Sequence, residues 1–143
     1  MTDLRTDAIV KGAFRSRTLA SATTTTGTAV DTTGYTDCLV IMDVGTITGS
    51  GTTADATITE ATTGGGSYSA ITGAAFAQVA TTGGGATVYV GHIKLGRSGG
   101  PWIKASILTA GAAVSVPVSM VYVLYNKGDS ANWSANTQSF QVG

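Results

Sequence analysis

Few residues in this chain have the types and spacing that catalysis requires. A hydrolytic triad needs a histidine beside a nucleophile and an orienting carboxylate, and His92 is the single histidine. Serine and threonine are so common that a hydroxyl group near His92 would carry no information. Glycoside hydrolysis needs two carboxylates flanking a sugar. The acidic residues beyond the first seven positions show no suggestive spacing: Asp31, Asp37, Asp43, Asp55, Glu60 and Asp129. We therefore predict a non-enzymatic protein in which His92 is a strand residue facing solvent or an interface.

Motifs for metal and phosphate binding are also missing from the sequence. It contains no CxxC pair, no HExxH motif and no acidic loop of the EF-hand type. The glycine runs that begin at Gly64 and Gly83 lack the Gly-Lys-Ser/Thr ending of a phosphate-binding loop, so they are interpreted as hairpin turns. We expect no cofactor.

The composition predicts strands and argues against nucleic acid and membranes as partners. Thr, Gly, Ala, Ser and Val dominate, a mixture that favours pleated surfaces and turns over helices. Eight basic residues balance eight acidic ones, whereas a nucleic-acid binder normally has an excess of Lys and Arg. No apolar run reaches the roughly 18 residues of a membrane span, and no signal peptide is visible. We expect the protein to stay in the cytosol until it joins a partner.

The lone cysteine, Cys38, lies among apolar residues and is predicted to be a buried free thiol.

The stretch from Ala113 to Tyr125 organises the predicted fold. Alternate side chains of a strand point to opposite faces, which places six apolar residues on one face: Val114, Val116, Val118, Met120, Tyr122 and Leu124. Because proline cannot donate to a ladder, we expect a bend or bulge at Pro117, or an edge position for the first half of the strand. Beyond Pro117 the other face is apolar too. Cys38 to Val44 is also apolar on both faces, which is typical of a central strand covered on both sides. A neighbouring subunit is the expected second cover.

Gly-rich turns divide the chain into about eight short strands, which indicates a β-sandwich or a barrel. We divide the chain into an N-terminal arm or edge strand (1–17), a β-sandwich domain (18–126) and a C-terminal tail (127–143). The arm carries four of the eight basic residues. The tail is polar apart from a few apolar positions, among them two aromatic residues that could anchor it to its own domain or to a partner.

Several segments of the chain resemble the small decoration, or cement, proteins of tailed-bacteriophage heads. Gly34-Tyr35 precedes an aliphatic strand that ends at Gly45, and ATITE (56–60) is followed by SYSAI (67–71). Further on, VGHI (90–93) precedes WIKA (102–105). The resemblance covers about Thr28 to Tyr125. It implies an all-β, antiparallel β-sandwich of jelly-roll type with little or no helix, and no catalysis.

The resemblance also implies partners. These are the major capsid protein and further copies of the chain, with a trimer favoured, at the capsid surface of a virion assembled in the host cytoplasm. The candidate oligomer or capsid contacts are Arg5, Lys11, Arg15, Arg17, Leu39, Ile41, Val121, Val123, Tyr125, Trp133 and Phe140. The alternative is a glycan- or host-surface-binding module of a phage fibre or baseplate, with Trp102 and Trp133 as stacking platforms.

Overall fold

The chain folds into an antiparallel β-sandwich of jelly-roll type, which confirms the predicted fold class. The computed structural model describes residues 8–81, 86–96, 98–127 and 139–142, with only the backbone described for 127 and 139–142. The described residues contain no α-helix. They form ten strands, which are β1 (Ile9–Leu19), β2 (Thr24–Thr26), β3 (Val30–Asp31), β4 (Tyr35–Val44), β5 (Thr48–Ala61), β6 (Ser69–Ala75), β7 (Val79–Ala80), β8 (Thr87–Lys94), β9 (Trp102–Lys127) and β10 (Ser139–Val142).

Two sheets share the long strand β9. In sheet A the order is β10-β8-β4-β9-β1, and in sheet B β9 lies between β5 and the short strands β2 and β3. β6 and β7 pair with the other side of β5. β9 pairs with β5 as far as Ser115 and with β1 from Val116 onward, so one continuous strand belongs first to sheet B and then to sheet A.

The change of sheet in β9 is accompanied by a change in which residues face the core. Odd-numbered residues are buried up to Thr109, and even-numbered residues are buried from Val114 onward. Between them the register with β5 is irregular, and Gly111 (φ 115°) and Ala113 (φ 53°) have positive φ. A bulge of this kind adds a residue and rotates the following side chains to the other face.

Pro117 is therefore the wrong position for the expected bend, since the irregular backbone of β9 precedes it. The carbonyl of Pro117 accepts a hydrogen bond from Gly45 N (2.9 Å), just beyond the end of β4. In an antiparallel strand the N–H and C=O groups of one residue point to the same side. The missing N–H of Pro117 therefore faces Gly45, one residue beyond the end of β4, where the pairing of the two strands ends.

The core lies between the two sheets and contains the predicted face of β9. The six residues from Val114 to Leu124 are each at most 6% exposed. Cys38, Val40, Met42 and Val44 of β4 are also buried, as their alternation predicts. In sheet B the residues Ala54, Ala56 and Ile58 are buried, while the intervening side chains of β5 are partly exposed.

Burial makes the Cys38 thiol unreactive, which can be measured directly. Cys38 is 0% exposed, and burial, together with the charge of Asp37, raises its thiol pKa well above the ordinary range. Since the thiolate is the reactive form, we expect a thiol reagent to modify the native protein only at the rate of global unfolding. A Thr24→Cys variant, with a second thiol at an exposed site, should be modified at once at that site. Rapid modification of native Cys38 would show that its surroundings open locally.

Candidate interaction surface

The face of sheet A that points away from the core carries an apolar surface, which we call the outer face. It is built by alternate residues of β1, β4, β8 and β9, and the strand registers place these residues in rows across the sheet. One row contains His92, Leu39, Val123 and Val10, and the next contains Val90, Ile41, Val121 and Gly12. The apolar side chains of the outer face are Val10, Leu39, Ile41, Val88, Val90, Val121, Val123 and Tyr125.

Most of these side chains are half-buried by their neighbours, and two are exposed. Val10 is 65% exposed and Val88 is 43% exposed, and these are two of the three large hydrophobic residues exposed in the described part of the chain. With four strands about 4.8 Å apart and rows about 7 Å apart, the two central rows cover roughly 270 Å², and Val88 and Tyr125 extend the apolar area into the boundary rows. A contiguous apolar patch of a few hundred Å² is often a functional site.

The outer face has a polar boundary at each end. At one end, the row of Asp43 and Ser119 follows the apolar rows. At the other end, Asp37 pairs in register with Lys94 of β8 and with Tyr125 of β9. The two central rows contain no acidic or lysine or arginine side chain, so the charged residues flank the apolar area rather than interrupt it.

Asp37 is the centre of a hydrogen-bonded cluster at this boundary. Its side chain is 3% exposed, and its Oδ1 lies 2.6 Å from Lys94 Nζ and 2.8 Å from His92 Nε2. Its Oδ2 accepts hydrogen bonds from Asn126 Nδ2 (2.8 Å) and Thr36 Oγ1 (2.9 Å). A buried carboxylate that is fully hydrogen-bonded and paired holds its neighbours in one arrangement. The cluster therefore fixes the ends of β4, β8 and β9 relative to each other.

The cluster makes stability depend on pH in the acid range. Burial acts to raise the pKa of Asp37, but its four hydrogen-bond partners outweigh burial and lower the pKa from 3.8 to about 2. Because the folded pKa lies below the unfolded one, this stabilisation is complete above pH 3.8 and is lost as the pH falls toward 2. We expect Asp37→Asn to cost about 2 kcal/mol at neutral pH.

Denaturant unfolding at neutral pH and near pH 2 checks this expectation, since the difference between Asp37→Asn and the wild type should shrink at the lower pH. Asp43→Asn, at an exposed site of the same strand, is the matched control and should change the free energy of unfolding little. A difference of the same size at both pH values would mean that the ionised carboxylate is not the source of the effect.

The structure brings together one group of the predicted contacts. Leu39, Ile41, Val121, Val123 and Tyr125 all lie on the outer face. The basic residues Lys11, Arg15 and Arg17 lie on the edge strand β1 and are exposed. Arg5 and Trp133 lie outside the described residues, and only the backbone of Phe140, opposite Gly91 of β8, is described.

The Asp37 cluster and the other residues of the outer face were not evident from the sequence. Asp37 and His92 are 55 positions apart, and no local pattern relates them. His92 is partly exposed, at 26% of its side chain, and its ring centroid lies 6.1 Å from that of Tyr125. It thus lies at the border of the outer face. Val88, Val90 and His92 are alternate residues of β8 and therefore lie on the same face. This alternation is the one sequence signal that could have added Val88 and Val90 to the predicted contacts.

The structure also describes the residues that were considered for glycan, phosphate and metal binding. A side chain on Gly64 would meet the Trp102 ring at 2.9 Å, so this turn packs directly against the ring. Among the described residues no group of three His, Cys, Asp or Glu side chains could hold a metal ion. The same residues include no helix that is long and apolar enough to cross a membrane.

Comparison with solved structures finds the same fold in a virus. The chain aligns over 93% of its length with a chain in the structure of the infectious bursal disease virus Gx strain, with a TM-score of 0.60 and 17% identity. The fold occurs in a chain of a virus structure. Our chain spans 35% of that longer chain, and at this level of identity the match concerns the fold alone.

The other comparisons do not assign the chain to a protein family. A chain in the structure of the Gt strain of the same virus aligns over 95% of our chain and 45% of its own length, with 13% identity and a TM-score of 0.33, too low to support an argument. The sequence matches no protein-family model and no curated protein.

Proposed function

We propose that this protein is a non-enzymatic structural component of a virus particle, and specifically a decoration protein on the outside of a tailed-phage head. The observation that carries the proposal is the outer face of sheet A, where two-faced strands leave an apolar surface without a cover from the described chain. The virus chain with the same fold and the sequence resemblance to decoration proteins support the same class.

A second copy of the chain is the proposed cover of the outer face. Apart from His92 and Gly12, its central rows consist of aliphatic side chains, and an apolar centre is typical of interfaces between permanently associated copies. A dimer would pack two outer faces together, whereas the favoured trimer would place the outer face of one copy against a different surface of the next. The mass of the free protein in solution distinguishes the two.

Oligomerisation determines how such a protein could hold a capsid, because each copy then contributes a capsid contact outside the outer face. One such contact can be weak on its own. Linking several copies raises the effective concentration of each remaining contact, and avidity can then exceed single-site affinity by about 10² to 10⁴. An oligomer that touches several capsomers would stabilise the contacts between them.

Co-sedimentation with expanded heads of the phage that encodes the protein tests the function. We expect the purified protein to sediment with the heads, to saturate at a fixed ratio to the major capsid protein, and to raise the temperature at which the heads lose their integrity. A protein that leaves the heads unbound and their heat resistance unchanged would refute the proposal.

Glycan binding has less support from the structure. One of its two platforms, Trp102, packs against Gly64, and the other, Trp133, lies outside the described residues. A glycan array and the quenching of tryptophan fluorescence by cell-wall sugars would detect this function.

A further inference from the structure

A small pocket opens between the edge strand β1 and the segment that joins β2 to β3. Its volume is about 180 Å³, and it is lined by Phe14, Arg15, Arg17, Thr26, Gly27 and Thr28. Its main feature is that two of the six lining residues are arginines. We call it the arginine pocket.

The backbone forms the pocket through a close approach that only glycine allows. The N–H of Thr28 donates to the carbonyl of Ala13 (2.9 Å), and the N–H of Gly27 donates to the carbonyl of Ala105 (2.9 Å). A side chain at Gly27 would lie 2.1 Å from the Ala13 oxygen and 3.2 Å from the Phe14 ring. β1 is irregular on both sides of Phe14, and the second irregularity lies between Phe14 and Arg17. The irregularity places Arg15 and Arg17 together at the pocket.

One of the two guanidinium groups already contacts an aromatic ring in the absence of a ligand. The Cζ atom of Arg17 lies 4.7 Å from the centroid of the Phe14 ring, and Phe14 itself is 4% exposed and fixed in the core. A cation over an aromatic face is attracted to it, and this contact does not use the N–H donors of the guanidinium. A pre-oriented arginine loses less side-chain entropy when it binds a ligand.

The pocket selects an anion with a short apolar stem. In the described part of the chain, Arg15 and Arg17 form no ion pair. A guanidinium donates two parallel hydrogen bonds to a carboxylate. The volume suits a single side chain, and the ring edge of Phe14 and the threonine methyl groups would contact its methylene groups. An extended phosphate backbone needs many basic residues along its path, whereas this chain has no excess of positive charge.

We propose that the arginine pocket binds the carboxylate of an Asp or Glu side chain presented by the capsid protein. This proposal rests on the proposed function. It assigns the two surfaces of sheet A different tasks, because the outer face joins copies of the chain and the arginine pocket, at the β1 edge, contacts the capsid. Two charge-assisted hydrogen bonds add specificity to a contact that is otherwise small.

Binding to phage heads at two salt concentrations tests the pocket. Arg17→Gln and Arg15→Gln should each weaken binding about tenfold or more, and should reduce its salt dependence. Arg17→Lys keeps the charge but not the paired donors, and should fall between the wild type and Arg17→Gln. Lys104→Gln is the matched control, because it removes one positive charge from sheet B, outside the pocket lining and outside the candidate contacts, and should change binding less than about twofold.

The outcomes separate this inference from the proposed function. If the wild type binds heads and the arginine variants bind equally well, the pocket proposal is wrong and the function stands. If the wild type does not bind heads, the function fails and the capsid partner fails with it. In that case a titration of the free protein with acetate, followed by the NMR signals of the arginine side-chain N–H groups, still tests the carboxylate site. Wild-type binding of duplex DNA that is lost in both arginine variants would overturn the proposal in favour of a phosphate ligand.

Discussion

Val123→Lys is expected to convert the proposed oligomer to a monomer and to abolish stable binding to phage heads. Val123 lies in a central row of the outer face, between Leu39 of β4 and Val10 of β1. In a single chain this position is half-buried, and a lysine there can extend its ammonium group into water. Between two copies the same charge would be buried without a partner, which costs about 3 to 5 kcal/mol. Each 1.4 kcal/mol is a factor of ten, so association should weaken by at least about a hundredfold.

Native mass spectrometry and co-sedimentation with heads would measure both consequences. Thr24→Lys is the control. Thr24 is exposed on β2, in sheet B, so a lysine at this position adds the same charge away from the outer face. It should keep the wild-type mass and binding. A folded Val123→Lys protein with the wild-type oligomeric mass would show that the outer face does not join copies of the chain.

Gly111→Ala should destabilise the fold strongly, although Gly111 is exposed. Gly111 has a φ of +115°, a conformation that L residues with a side chain rarely adopt and that costs about 1 to 3 kcal/mol. An added Cβ would lie 2.7 Å from Thr52 Cα and 2.8 Å from the Gly51 oxygen. These are backbone atoms of β5, so relief requires the two strands to separate, at a further cost of about 1 to 3 kcal/mol.

The expected loss of about 4 kcal/mol is a large part of a typical stability of about 5 to 15 kcal/mol. Urea unfolding followed by circular dichroism measures it. Gly65→Ala is the matched control, since nothing lies within 4 Å of a Cβ at Gly65 and no positive φ is found there. This control should be neutral or slightly stabilising, because alanine restricts the unfolded chain. Equal effects of the two substitutions would mean that the path of β9 at Gly111 does not require glycine.

Much of the fold could be predicted because the side-chain alternation of a strand is a local property. In β4, Cys38, Val40, Met42 and Val44 are buried, and the residues between them are not. In β8, Tyr89, Gly91 and Ile93 are buried and the residues between them are half-buried. Each of these assignments needs only the residue types and a period of two.

The irregular positions could not be predicted in this way. Pro117 carries the strongest local signal for a break in β9, yet the backbone departs from regularity at Gly111 and Ala113. A proline disturbs a strand only where its N–H is needed, and this depends on whether a neighbouring strand is present at that position. At Pro117 the neighbouring strand is β4, which ends just before this position. Because β4 is far from Pro117 in the sequence, the local pattern does not show this.

The sequence by itself determined that this chain is all-β, which residues of β4, β5, β8 and the second half of β9 face the core, and that few residues are suited to catalysis. Only the tertiary structure decided which strands are neighbours and in which register. Backbone donors and acceptors are the same in every strand, so local composition does not specify pairing partners. The pairings of β1, β4, β8 and β9 assemble the outer face, place Asp37 beside His92 and Lys94, and bring the irregular edge of β1 against Gly27 to form the arginine pocket.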